Sequence, residues 1–114
     1  MYYADAVGEP RRAVKRSRSV EGVHVTTWTR EVASCNTFEA EAGTNGPQGG
    51  DAGHGCRAYL RLEDKGGTDW RASLDGRSIL CPRRLELALE EDSELSTFKE
   101  ALRWWLTVLE AQSE

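Results

Sequence analysis

The 114-residue chain is poor in the side chains that carry much of small-protein chemistry, with two histidines, one methionine and three cysteines. Cys35, Cys56 and Cys81 are odd in number and form no C-x-x-C pair, which argues against a disulfide framework or a zinc ribbon and reads as buried thiols. No apolar run approaches the roughly 18 residues of a spanning helix, and "MYYADAVGEPRRAVKRSRS" has no apolar secretion core. A cytoplasmic protein without membrane contact is expected. An excess of positive charge is missing too. At a formal net charge of −4, a general binder of long nucleic acid is not expected, because phosphates must be neutralised by Lys and Arg.

What is present suits one compact domain, since domains commonly hold about 100–150 residues. Residues 1–22 stand apart: Pro10, Arg11, Arg12, Lys15, Arg16 and Arg18, with few apolar neighbours, read as a flexible basic arm. Residues 23–114 read as a single α+β domain. "VHVTTWTREVASC" is β-branched and aromatic, as in one strand or a bent pair. "TFEAEA" alternates Phe38, Ala40 and Ala42 against Thr37, Glu39 and Glu41. "CRAYLRLED" alternates again, with Cys56, Ala58, Leu60 and Leu62 expected inward and Arg57, Tyr59, Arg61 and Glu63 outward.

Asp75-Gly76 is the preferred dipeptide of a tight hairpin turn, here between "TDWRASL" and "RSILC". Residues 83–91 alternate as a strand, with helix a live alternative. From Phe98 the apolar spacing becomes helical, Thr97 and Glu100 suggest a capping box, and a helix from Ser93 or Ser96 to Gln112 follows. Trp104 and Leu106 widen its apolar stripe to about 200°, more than one sheet covers, so a homo-oligomer built through this helix is expected. The fold class is α+β: a mainly antiparallel β-sheet of five to six strands with one long C-terminal α-helix.

The densest glycine run is "GTNGPQGGDAGHGCR" (43–57), and residues 43–55 hold six of the eleven glycines. Each glycine removes the Cβ that keeps a ligand from the backbone, and successive N–H groups can form an anion nest. The candidate binding set is Gly49, Gly50, Asp51, Gly53, His54 and Gly55 in the run, followed by Arg57, Tyr59, Arg61, Trp70 and Arg71. His54 and Arg57 suit phosphates; Tyr59 or Trp70 suits stacking of a base. Asp51 suits bracing of the loop or acceptance from a sugar hydroxyl. The competing possibility is an ordinary salt-bridged sheet face in which Arg57, Arg61 and Arg71 meet Glu63 and Asp69. A loop of about thirteen residues without its own secondary structure is uncommon unless functional.

Known catalytic patterns do not fit. The Walker Lys and hydroxyl are absent, no helix follows as the dinucleotide fingerprint requires, and Ala52 stands where the "GGDAGHG" string would need a nucleophilic serine. Asp51, His54 and Cys56 with His24 lack a strong zinc spacing, and a Cys56–His54 nucleophile pair at i, i+2 is unfavourable geometrically. Binding without turnover, cofactor or metal is expected.

The string "EAEAGTNGPQGGDAGHGCRAYLRLEDKGGTDW" (39–70) resembles small phage and prophage proteins with a G-T-N/T, G-G-D, G-H-G, R core and a Gly-Thr-Asp turn. The overall plan is similar to the first-described type of Thoeris anti-defence protein, a phage-encoded sponge. That resemblance, over a quarter to a third of the chain, implies a homo-oligomer in a bacterial host cell. It also implies sequestration, without degradation, of a cyclic ADP-ribose isomer or a cyclic oligonucleotide at subunit interfaces. Two other classes stay open: a module that inhibits a host or defence protein by docking, and a small hydrolase using His54 and Asp51.

Overall fold

The computed structural model describes residues 13–33, 36–45, 57–90 and 92–113. In chain order they form β1 (Val14–Val20), β2 (Val23–Ala33), β3 (Thr37–Thr44), β4 (Ala58–Asp64), β5 (Arg71–Leu74), β6 (Arg77–Leu80), β7 (Arg84–Leu89) and α1 (Asp92–Gln112). The main sheet is antiparallel with order β1-β2-β3-β4-β7, and β5-β6 is a separate two-stranded hairpin. The architecture is α+β, with a mostly antiparallel sheet and one C-terminal helix.

Several local expectations change. The segment expected to be a basic arm is, over Val14–Val20, an edge strand paired with β2 from Val14↔Thr29 to Val20↔Val23. Its turn is Glu21-Gly22, both at positive φ (52° and 82°), the conformation a two-residue hairpin requires. Residues 1–12 of that segment lie outside the described residues. Asp75 (φ 50°) and Gly76 (φ 82°) make the expected β5-β6 turn. Residues 84–89 are a strand, not a helix. Thr97 and Glu100 fall inside α1, where Glu100 pairs with Arg103 at 2.9 Å and does not cap. Cys81, expected to be buried, is exposed; Cys35 and Cys56 lie outside the described residues.

The largest departure concerns which face of the sheet is covered. Register places Arg16, Arg18, Val25, Thr27, Thr29, Glu39, Glu41, Tyr59, Arg61 and Glu86 on one face. Trp28, Ala40, Ala42, Leu60, Leu62, Leu85 and Leu87 share the other. The polar face is the concave, buried one: Thr27 is 0% exposed, Glu41 2% and Arg61 4%. Gly43 explains the curl. A Cβ there would stand 2.2 Å from the Thr26 carbonyl oxygen and 2.6 Å from the Thr27 Cα, so β2 folds over β3 where only glycine fits. Consistently, β2 and β4 come within 8 Å at their Cα atoms although β3 separates them.

The convex apolar face is left largely open, with Leu85 and Leu87 exposed. Helix α1 does not close it: Trp104, Trp105, Leu106 and Leu109 are exposed, while Leu95, Phe98, Leu102 and Val108 are half-buried. Tyr59 and Arg61, expected outward in water, are thus inside the curl, while the leucines expected inside face outward. Alternation assigns side chains to faces; it does not say which face will be packed.

Candidate functional site

Two features of the concave side bear on function, and the first is the root of the glycine-rich run. Here β3 ends and β4 begins, and the two meet in a hydrogen-bonded neck. The Asn45 amide donates to the Arg57 carbonyl (3.2 Å), the Arg57 amide donates to Asn45 Oδ1 (2.7 Å), and Thr44 Oγ1 donates to the Arg57 carbonyl (2.8 Å). The Arg57 side chain, 18% exposed, lies there with Nε 3.6 Å from Glu21 Oε1 and Nη1 donating to the Glu90 carbonyl at 3.4 Å. The Glu21 carboxyl is pushed up by a hydrogen bond and charge repulsion from Glu90, against the pull of Arg57. One guanidinium and two carboxylates therefore gather where the β1-β2 turn, the neck and the end of β7 converge.

The second feature is an ionic network at the middle of the curl. Arg18 grips Glu41 with two hydrogen bonds (2.6 and 2.7 Å), Thr27 Oγ1 donates to the same carboxylate at 2.5 Å, and Arg61 Nε donates to it at 2.9 Å. Arg61 also donates to Glu39 (2.9 Å) and Glu63 (2.5 Å). Tyr59 donates to Glu86 at 2.5 Å, and the Arg18 guanidinium carbon stands 5.5 Å over the Tyr59 ring. Burial alone would raise the Glu41 carboxyl, but Arg18, Thr27 and Arg61 outweigh it and hold the group at about 2. Burial, helped by Glu86 as acceptor, pushes the Tyr59 phenol up to about 12. Burial works against the Arg61 charge, yet Glu39 and Glu41 raise its pKa overall.

The expected binding residues are consequently separated. Gly49, Gly50, Asp51, Gly53, His54 and Gly55 lie outside the described residues, as does the Asp51, His54 and Cys56 metal alternative. Arg57 is at the neck. Tyr59 and Arg61 belong to the network, where Arg61 donates from Nε, Nη1 and Nη2 to Glu41, Glu63 and Glu39 and Tyr59 donates to Glu86. Trp70 packs edge-on against Phe38 with ring centroids 5.0 Å apart and donates from Nε1 to the Pro82 carbonyl at 2.9 Å. Phe38 pairs with Asp64, at the opposite end of β3 from the neck. Six residues of strand put Trp70 about 20 Å from Arg57, too far to stack on the same small ligand. Arg71 sits on the separate β5-β6 hairpin opposite Leu80, not beside Arg61. The sheet therefore places Arg57 at the loop root, with Tyr59 and then Arg61 the next residues of the same face but held by Glu86 and by Glu39, Glu41 and Glu63, and sets Trp70 and Arg71 elsewhere.

Sequence reasoning missed Arg18, Thr27, Glu41 and Glu86 in the network and Glu21 and Glu90 at the neck. A signal existed for the network: Arg16-x-Arg18 and Glu39-x-Glu41 carry opposite charges at period two, as complementary strands of one face would. Nothing local placed Glu21 and Glu90 together, because they come from opposite ends of the domain. Among the described residues, no three His, Cys, Asp or Glu side chains gather as a metal ligand set, and no helix is long and apolar enough to cross a membrane. The chain matches no protein-family model, no curated protein and no solved structure.

Proposed function

We propose that the protein is a non-catalytic binding protein that sequesters a small phosphorylated cyclic nucleotide, a cyclic ADP-ribose isomer or a cyclic oligonucleotide, as a phage anti-defence sponge does. One observation carries this: a guanidinium, Arg57, is held at the hydrogen-bonded root of a glycine-rich segment whose composition suits close approach of an anion. A phosphate seated there would replace the long 3.6 Å contact to Glu21 with a shorter charge-assisted one. Glu21 and Glu90 would then be placed to accept from ribose hydroxyls. Glu39, Glu41, Glu63 and Glu86 are all engaged by Arg or Tyr donors, so none is set up as a free general base.

A second reading is favoured by a different observation, the exposure of Trp104, Trp105 and Leu109 at 63% each. Such a surface also suits a module that docks on a host or defence protein and inhibits it.

The two separate in one experiment. The protein is mixed with a panel of cyclic ADP-ribose isomers and cyclic oligonucleotides, scanned for a thermal shift, then heat-denatured and the ligand analysed. The sponge predicts a shift and intact ligand; a chemically altered ligand would establish an enzyme, and no shift with any compound would leave the docking module.

A further inference from the structure

The sheet ends on an unprotected edge. Among the described residues β7 pairs only with β4, and its sequence RLELAL has no proline, lysine or bulge of the kind that blocks edge pairing. The opposite edge, β1, carries Lys15, Arg16 and Arg18. Next to the bare edge lies the open apolar face, where Leu85 is 36% and Leu87 42% exposed, and two residues beyond Glu90 begins a helix whose own apolar stripe is uncovered.

We infer that a second copy of this chain occupies both surfaces: the β7 edges pair antiparallel about a two-fold axis, and each α1 lays its stripe over the apolar sheet face of the other copy. Centring the axis on Leu87 sets Leu85 opposite Leu89 of the second copy, Glu86 opposite Ala88, and Arg84 opposite Glu90. No like charges face each other, and each end gains an opposite pair. Centring on Glu86 instead would set two carboxylates face to face. The chosen register sets Asp92, the start of α1, opposite Pro82 of the other copy, just beyond the Leu85 end of the apolar face it covers. It also brings Arg84 to Glu90, which already crowds Glu21.

The area is of the right order. Two tryptophans at 63% exposure leave roughly 300 Å² of ring surface in water, and Leu85, Leu87, Leu106 and Leu109 about as much again. That sum is near the ~800 Å² that each partner contributes to a standard interface before any polar rim is counted. Pairing identical edges gives a closed, isologous contact, so the assembly does not run on into a fibre. The interface stands whether or not the loop root binds a nucleotide.

The test is the mass of the full chain in solution with hydrogen exchange on β7. Light scattering at micromolar concentration is expected to give a multiple of two of the 12.7 kDa chain. The β7 amides not bonded to β4 are expected to exchange slowly. Leu87→Lys places two ammonium groups on the axis, and Leu109→Lys charges the stripe. Each should weaken association about tenfold or more with the circular dichroism spectrum retained, whereas Leu74→Lys, on the exposed β5-β6 hairpin, should not. A monomeric wild type overturns the inference, and so do fast-exchanging β7 amides. If that monomer floats with lipid vesicles the face belongs to a membrane; if it does not, the face belongs to another protein.

Discussion

Glu41 is the residue on which the concave face turns. It has no exposed side-chain surface, and three donors converge on it from β1, β2 and β4. Its carboxyl, held at about 2 against a usual value near 4.5, contributes stability that is complete above pH 4.5 and is lost as pH falls from 4.5 toward 2. The size is roughly 3 kcal/mol. Urea midpoints measured from pH 6 down to pH 2.5 should fall accordingly, and the Glu41→Gln protein should lack that part of the slope. The same substitution leaves Arg18 and Arg61 without their shared anion, and breaking a buried pair from one side costs about 3–5 kcal/mol. Denaturant unfolding at pH 7 checks this. At the neck, Arg57→Ala should weaken nucleotide binding by about 1.5–3 kcal/mol, the range for a charged hydrogen bond. Calorimetric titration showing unchanged affinity would reduce Arg57 to a structural clasp.

At the scale of elements, Gly43 and β7 do most to shape the molecule. Gly43→Ala drives a methyl group into the β2 backbone, and a loss of at least about 1–3 kcal/mol should show as a lower denaturation midpoint. β3 and β4 were legible in the sequence because period-two alternation survives whichever face is buried: "TFEAEA" lies in β3 and "CRAYLRLED" contains β4. The Asp75-Gly76 turn was legible from its dipeptide alone, and the end of α1 at Gln112 from its helical spacing. β1 was not, because Lys15, Arg16 and Arg18 in the string VKRSRSV look like a solvated tail until Glu41 is known to stand two strands away. The buried face was not legible either. Arg61 and Tyr59 satisfy one another's environment through carboxylates contributed by β3 and β7, and such pairing depends on register, which single-strand patterns do not carry. The place of Arg57 at the root of the glycine run was legible because it is the first residue after that run. Trp70 was misplaced for the same reason, since its nearness to the run in sequence hides the length of β3 between them.

Among the described residues the molecule buries a self-neutralised ionic network inside the curl and leaves leucines of the convex face and tryptophans of the helix in water, which an isolated sheet-plus-helix domain would normally cover. A second copy over the convex face, as inferred above, would cover these leucines and tryptophans and leave the concave side open. In the proposed reading the network carboxylates hold the sheet together and Arg57 is the anion site. The most direct measurement is titration of the purified full chain with a cyclic ADP-ribose isomer and a cyclic dinucleotide, followed by analysis of the nucleotide released on heating. Saturable binding with the nucleotide recovered unchanged is the predicted result. Failure of every cyclic nucleotide to bind, or recovery of a cleaved product, would contradict it.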